Sequence, residues 1–101
     1  RDFMATEEVA DAYAALLDSD VQGAVNIGSG EEITIGELVL EIAKYTGNME
    51  NIEFGAIQAS PSEPPRVVAD ITRLRDEVKW KPRRSFSQQI EDTIQWYKEN
   101  L

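Results

Sequence analysis

The residues best suited to binding a metal ion lie in the segment 18–23, whose sequence Asp-Ser-Asp-Val-Gln-Gly follows the opening of a calcium-binding loop. Val25 stands where such a loop needs an apolar residue. The twelfth position, which requires a bidentate glutamate, is Ser29, and the fifth is an uncharged glutamine. We therefore predict a polar turn here and no metal site.

A second segment, Gly28-Ser29-Gly30, resembles part of a phosphate-binding loop. The third glycine of a dinucleotide-binding fingerprint would fall at Ile33, and no lysine follows. A tight turn that leads into a helix explains the two glycines better.

Basic side chains form a third candidate, because Arg1 is the only base before Lys44 whereas seven bases crowd one later stretch. The members of this basic stretch are Arg66, Arg73, Arg75, Lys79, Lys81, Arg83 and Arg84. Acidic residues interrupt it, and Trp80 is its only aromatic residue for stacking. It predicts a solvated helix surface, with an anion-binding edge as the alternative.

The amino-acid composition excludes several kinds of catalytic and metal-binding site. The chain has no cysteine and no histidine, so it has no disulfide, thiolate metal site, cysteine nucleophile or histidine base. Its net charge of -9 disfavours binding to nucleic acid or to anionic membrane, and no apolar run reaches the roughly 20 residues of a membrane span. We expect a cytoplasmic protein with neither partner.

The candidate residues need a scaffold, and 101 residues suffice for one domain. Helical periodicity and capping residues predict four helices, which start at Thr6, Thr34, Asp70 and Ser85. The first runs over about 7–18, and Gly47 ends the second. Short apolar runs predict strands at Ala24–Ile27, Asn51–Phe54 and Arg66–Ala69.

The last helix carries an apolar stripe that we expect to be buried, formed by Phe86, Ile90, Ile94, Tyr97 and Leu101. On the first helix, apolar residues recur at helical spacing, namely Val9, Ala12, Tyr13, Leu16 and Leu17. The element order is helix, strand, helix, strand, strand, helix, helix. The chain starts with Arg1 and not with methionine, which we interpret as the interior of a longer gene product.

Short motifs follow one another in a recognisable order. They are Arg1-Asp2-Phe3, Glu8-Val9-Ala10, Asn26-Ile27-Gly28-Ser29-Gly30, Ile35-Gly36-Glu37-Leu38, Ala69-Asp70, Trp80-Lys81-Pro82 and Ile94-Gln95-Trp96-Tyr97. In this order the whole chain resembles the C-terminal part of the extended short-chain dehydrogenase/reductases, the NAD-dependent epimerase/dehydratase family that acts mostly on nucleotide sugars. The implied fold class is α/β, a small helix-rich domain with short strands that is a C-terminal fragment of a Rossmann-type enzyme.

The resemblance also implies what this chain lacks. Members of the family hold NAD or NADP on an N-terminal Rossmann domain and use a Tyr-x-x-x-Lys pair, but no tyrosine here has a lysine four places on. Residues 1–101 would then be a single C-terminal substrate-binding domain without the NAD-binding domain. We expect it to contain no catalytic residue, to bind no cofactor and to be inactive alone, whereas the full-length enzyme uses NAD or NADP.

Three substrate-binding residues follow from the resemblance. The arginine of the first motif, Arg1, holds the substrate diphosphate in the family, a role that suits a bidentate guanidinium. Asn26 is either a nucleotide contact or only a strand-end residue. A second arginine usually lies three places before an acidic residue, but here Ser60 stands three places before Glu63, and Arg66 lies three places after it. The role of Arg66 is therefore open.

Two other functions also stay open, namely a free-standing acidic helical module that binds a protein partner, and a small phosphate-binding domain that uses the basic stretch. In the family, the first helix and the strand Ala24–Ile27 look like the last pieces of the Rossmann sheet. Without that sheet both would face water, and an uncharged strand edge is a template for pairing. We therefore expect a homo-oligomer, most simply a dimer.

Overall fold

The computed structural model describes residues 1–101, which form four α-helices joined by irregular segments. The helices are α1 (Thr6–Leu17), α2 (Ile35–Thr46), α3 (Thr72–Asp76) and α4 (Phe86–Asn100), and a single 3₁₀ turn covers Met49–Asn51. No helix combines the length and the apolar character that a bilayer crossing needs. The number and order of the predicted helices are confirmed.

The three predicted strands are wrong, and with them the α/β fold class is not confirmed. Ala24–Ile27 and Arg66–Ala69 are irregular, and part of Asn51–Phe54 belongs to the 3₁₀ turn. A strand exists only where a second strand pairs with its backbone N–H and C=O groups. Side chains hold these segments instead, since the Asn26 amide donates to the Asp70 carbonyl (3.2 Å).

Local capping explains where the helices begin and end. The Thr34 hydroxyl accepts from the Glu37 N–H (3.0 Å) and the Glu37 carboxylate accepts from the Thr34 N–H (3.2 Å), so the predicted capping box is confirmed. Gly47 ends α2 with φ 74°, a left-handed conformation that favours glycine. At α4 the Ser85 hydroxyl accepts from the Gln88 N–H (3.1 Å) as predicted.

Two predicted helix starts are wrong by one residue. Ala5 precedes α1, and Thr6 already lies within the helix. At α3, Ile71 is the capping position, and Asp70 instead accepts from the Thr72 N–H (3.0 Å) and hydroxyl (2.6 Å). Asp70 therefore still satisfies one free N–H of the helix, but from one place further out.

The hydrophobic core is small. Its buried members are Ala12 of α1, Leu74 of α3 and Trp80, and the Trp80 indole N–H donates to the Asp11 carboxylate (2.7 Å). Partly buried side chains surround this core, namely Met4, Ala15, Val25, Ile27, Ile71 and Val78. Elsewhere α2 packs against α4, where the Tyr45 and Ser87 hydroxyls are hydrogen-bonded (2.7 Å).

The chain is more open than a compact protein of its mass. Its accessible surface is 7451 Å², about 1,700 Å² more than a compact 11.3 kDa monomer exposes. Its radius of gyration is 16.0 Å, against about 13 Å for a compact domain of this length. The predicted burial of the α4 stripe is wrong in part, because Tyr97 and Leu101 are exposed, whereas the exposure of Tyr13 and Leu17 on α1 agrees with the expectation that the first helix faces water.

Candidate functional site

The carboxylate of Asp2 joins three segments of the chain. One oxygen accepts from the Ser29 N–H (2.9 Å) and hydroxyl (2.7 Å), and the other from the N–H groups of Gly30 (2.9 Å) and Ala69 (3.2 Å). The start of the chain is thus fixed to the glycine turn 28–30 and to the segment before Asp70. This junction positions the neighbouring side chain of Arg1.

The glycine turn supports that junction by close packing. A Cβ at Gly28 would lie 2.6 Å from the Ala69 side chain, and one at Gly30 would lie 2.7 Å from that of Ile71. The N–H groups of Ser29 and Gly30 are already used by Asp2. Interpreting the two glycines as a tight turn rather than a phosphate-binding loop is therefore confirmed by the packing.

Asp2 should make folding stability depend on pH. Burial raises the pKa of this carboxyl group, but the hydrogen bonds from Ser29, Gly30 and Ala69 outweigh burial and hold the pKa below the ordinary 3.8. Because the folded pKa lies below the unfolded one, the stabilisation is fully present above pH 3.8 and is lost as the pH falls through the folded pKa.

We expect Asp2→Asn to lower the free energy of unfolding by about 2 kcal/mol at neutral pH, because an amide replaces a charged acceptor of several N–H and O–H groups. Urea unfolding of both proteins from about pH 7 down to about pH 3 should show the difference shrinking towards the acid end. Asp20→Asn, at an exposed carboxylate without a hydrogen bond, is the matched control. A difference that stays constant across this range would contradict the assignment.

Arg1 lies at the edge of a cavity of about 280 Å³. Its backbone is held by two hydrogen bonds to Ile33, from the Arg1 amino group to the Ile33 carbonyl (3.0 Å) and from the Ile33 N–H to the Arg1 carbonyl (2.9 Å). Its half-buried guanidinium forms an ion pair with Glu63. The cavity is lined by Arg1, Glu32, Thr34, Ile35, Ala59, Ser60, Glu63, Pro64 and Pro65.

The N-terminus of α2 forms another wall of this cavity, through Thr34 and Ile35. The N–H groups of Ile35 and Gly36 find no acceptor within the chain, because the capping box uses only those of Thr34 and Glu37. Free N–H groups and the positive end of the helix dipole both favour an anion. The cavity therefore combines a guanidinium with a helix N-terminus.

Arg66 reaches the same cavity indirectly, because its guanidinium donates to Glu32 (2.7 Å), which lines the cavity. Two carboxylates thus offset two guanidinium groups around this space. Ser60 also lines the cavity, with a hydroxyl that is hydrogen-bonded to that of Ser62 (2.9 Å). The structure brings Arg1 and Arg66 to one region.

Asn26 lies elsewhere. It lines a separate open groove of about 650 Å³ together with Ile27, Gly28 and residues 67–70. The two cavities are adjacent in the sense that Arg1 lines one and Asp2 lines the other. The three candidate residues therefore do not converge on one pocket.

The other candidates have structural partners. The Arg73 guanidinium donates to the carbonyls of Gln22 and Ala24 (both 2.8 Å), so a cation of the chain itself binds the polar turn after α1. Within the basic stretch, all five arginines form ion pairs with acidic residues, and Lys79 and Lys81 have none. This pairing supports a solvated surface over an anion-binding edge.

Sequence reasoning missed two features of the Arg1 cavity. The pairing of Arg1 with Glu63 joins residues 62 positions apart, and nothing local in the sequence signals it. The second is the place of the α2 N-terminus beside Arg1. The capping box predicts where α2 begins, but the hydrogen bonds between Arg1 and Ile33 that bring the two together join residues 32 positions apart.

The chain resembles known proteins in sequence and in fold. No protein-family model matches the chain. It is 31% identical over 103 residues to probable GDP-L-fucose synthase 1 of Oryza sativa subsp. japonica, covering 100% of this chain and 30% of that protein. The chain thus spans about a third of the length of such relatives, and corresponds to a C-terminal portion of them.

Two solved structures share the fold over the whole chain. The UDP-N-acetylglucosamine 4-epimerase from Methanobrevibacter ruminantium M1, in complex with UDP-N-acetylmuramic acid, superposes with a TM-score of 0.80 at 25% identity, and the chain covers 32% of it. RMD from Pseudomonas aeruginosa, complexed with NADPH, gives a TM-score of 0.78 at 29% identity, and the chain covers 33% of it.

Proposed function

Since the chain is related along its whole length to a C-terminal portion of the extended short-chain dehydrogenase/reductases, the NAD-dependent epimerase/dehydratase family, we propose that it is the substrate-binding portion of a nucleotide-sugar-modifying enzyme. The substrate's diphosphate lies in the cavity beside Arg1. Residues 1–101 form the C-terminal domain, and the NAD-binding domain lies outside them.

The observation that carries this proposal is the meeting of Arg1 with the N-terminus of α2, whose Thr34 and Ile35 line the same cavity. A diphosphate needs several donors at once, and a bidentate guanidinium beside a helix N-terminus supplies them. The relative with UDP-N-acetylmuramic acid bound, which shares this fold, supports a nucleotide sugar as the ligand.

Arg66 and Asn26 take secondary roles in the proposal. Glu63 and Glu32 occupy Arg1 and Arg66 in the free chain, so the diphosphate must displace Glu63 from Arg1 before it binds. Freed from Glu32, Arg66 offers a second guanidinium to the same anion. Asn26 faces the other groove and contacts only a part of the substrate that extends beyond the Asp2 junction.

The residues of this chain do not fit a dinucleotide. The glycine turn packs against Ala69 and Ile71, and its N–H groups serve Asp2, so none is free to hold a pyrophosphate. The related RMD structure holds NADPH. We propose that NAD or NADP, which would supply hydride transfer, binds the full-length enzyme outside residues 1–101, and that this chain alone is inactive.

Arg1→Ala in the full-length enzyme should raise the KM for the nucleotide sugar about tenfold or more, because the diphosphate loses a charge-assisted contact. The KM for NAD(P)H should not change. Arg1→Lys keeps the charge but not the bidentate geometry, so its KM for the nucleotide sugar should lie between those of the wild type and Arg1→Ala.

Arg75→Ala is the matched control for this experiment, because Arg75 is an exposed arginine that pairs with Asp76 away from the cavity. Its steady-state constants should equal those of the wild type. An unchanged KM for the nucleotide sugar in Arg1→Ala would show that Arg1 is only structural.

A further inference from the structure

Residues 55–67, which we name the strap, form one wall of the Arg1 cavity without being anchored in a core. All of them are exposed, none belongs to a helix or strand, and Ile57 is 90% exposed. The one backbone-to-backbone hydrogen bond of the strap is internal, from the Glu63 N–H to the Ser60 carbonyl (3.1 Å). A long loop with so few contacts has a low local stability and is typical of a segment that moves over a binding site.

Two ion pairs join the strap to the rest of the chain. The Glu63 carboxylate accepts from the Arg1 guanidinium, and the Arg66 guanidinium donates to the Glu32 carboxylate (2.7 Å). Each pair has one partner on the strap and one outside it, and each includes a residue that lines the Arg1 cavity. The four side chains are between 27% and 66% exposed, so each pair stabilises the closed position of the strap only weakly.

The carboxylates of Glu63 and Glu32 occupy the two guanidinium groups that the proposed function assigns to the diphosphate. Carboxylates and phosphate groups match the donors of a guanidinium in the same way. Each glutamate is therefore an internal substitute for one phosphate group. Because Arg1 lies outside the strap and Arg66 lies in it, a diphosphate bound to both arginines joins the same two parts of the chain that the ion pairs join in its absence.

We propose, on the basis of that function, that the strap is an autoinhibitory lid that exchanges partners. In the empty cavity Glu63 and Glu32 hold it closed. A diphosphate that pairs with Arg1 and Arg66 displaces both carboxylates and then holds the strap in their place. Each ion pair must be broken before the diphosphate binds, so removing either carboxylate should tighten its binding.

Titration of the chain with inorganic pyrophosphate, followed by NMR, tests this exchange, because pyrophosphate offers the diphosphate without the nucleoside or the sugar. The dissociation constant should be about two- to fivefold lower in Glu63→Gln and in Glu32→Gln than in the wild type. In the double variant it should be about four- to twentyfold lower, since one anion displaces both carboxylates.

Glu31→Gln is the matched control for both glutamates. It removes the same charge directly beside Glu32 but breaks no ion pair, so it should bind pyrophosphate about as the wild type does. The three glutamate side chains are exposed, so all the variants should keep the fold, which circular dichroism checks.

Backbone order parameters from NMR relaxation report on the strap itself. In the double variant without ligand they should fall across residues 55–67, and pyrophosphate should restore them. If Arg1→Ala abolishes pyrophosphate binding but the Glu63 and Glu32 variants bind it no more tightly than the wild type, the role of the strap is overturned and the proposed function stands. No binding of pyrophosphate to any of these proteins would overturn both. Equal tightening in Glu31→Gln would overturn the role of the strap, because net charge alone would then explain the effect.

Discussion

Leu74→Ala is expected to lower the free energy of unfolding by about 3 kcal/mol or more. Leu74 has no exposed surface and belongs to a core with only two other buried members, Ala12 and Trp80. The substitution removes buried methyl groups and leaves a cavity, which small movements of α1 and α3 cannot fill. The free energy of unfolding of a small domain is about 5–15 kcal/mol in total, so this loss would be a large share of it.

Urea or thermal unfolding followed by circular dichroism measures this change. The matched control is Leu17→Ala, which makes the same chemical change at a side chain that is 87% exposed, and should alter stability by less than about 0.5 kcal/mol. Equal losses in the two variants would contradict the placement of the core.

The second large effect is expected for Glu8→Ala, which should lower the free energy of unfolding by about 3 kcal/mol. The Glu8 carboxylate is 3% exposed, and it accepts from the Arg84 guanidinium (3.0 Å) and from the Arg83 N–H (3.0 Å). Removing it leaves the part-buried Arg83 N–H without its acceptor and deprives Arg84 of its most buried partner. Asp92 still pairs with Arg84, which keeps the loss below that of a fully isolated buried charge.

Glu7→Ala is the control for Glu8, because it lies beside Glu8 in the first turn of α1. Its carboxylate is exposed and approaches Arg84 only to 3.9 Å, so we expect a loss of less than about 1 kcal/mol. Chemical denaturation of both variants in one buffer gives the comparison. A similar loss for the two glutamates would show that the buried network around Arg84 does not contribute.

The helices could be predicted from the sequence because helix formation is local. The capping box at Thr34 and Glu37, the Ser85 cap and the terminal Gly47 each act within a few residues, and all three are found. The predicted starts at Thr6 and Asp70 were wrong by one place. At α1 no side chain caps the helix, which begins after Ala5, and at α3 Asp70 accepts from the Thr72 N–H from one place further out.

The strands could not be predicted in this way, because a strand depends on a distant partner. Apolar runs such as Ala24–Ile27 have strand composition, but no second segment pairs with their backbone in this chain. The predicted burial of Tyr97 and Leu101 was wrong for a similar reason, since periodicity identifies the apolar side of a helix without showing what covers it.

The candidate site, too, could be predicted from the sequence only in part. Residue type and motif order predicted Arg1 as a diphosphate ligand and left the role of Arg66 open, and the structure places Arg1 at one cavity and Arg66 beside it. Their pairing with Glu63 and Glu32 depends on tertiary structure, as does the separation of Asn26 into another groove. The free chain therefore offers a charge-balanced cavity in which an incoming diphosphate competes with internal carboxylates.

The most direct test of the proposed function is an NMR titration of the amide resonances of residues 1–101 with a nucleotide sugar and, separately, with NADPH. We predict weak binding of the nucleotide sugar, with a dissociation constant of about 1 mM or above, since one charge-assisted contact contributes about 1.5–3 kcal/mol. The shifts should centre on Ile35, Gly36 and residues 60–63, and Arg1→Ala should abolish them. NADPH binding with a micromolar dissociation constant and shifts at Ser29 and Gly30 would contradict the proposal.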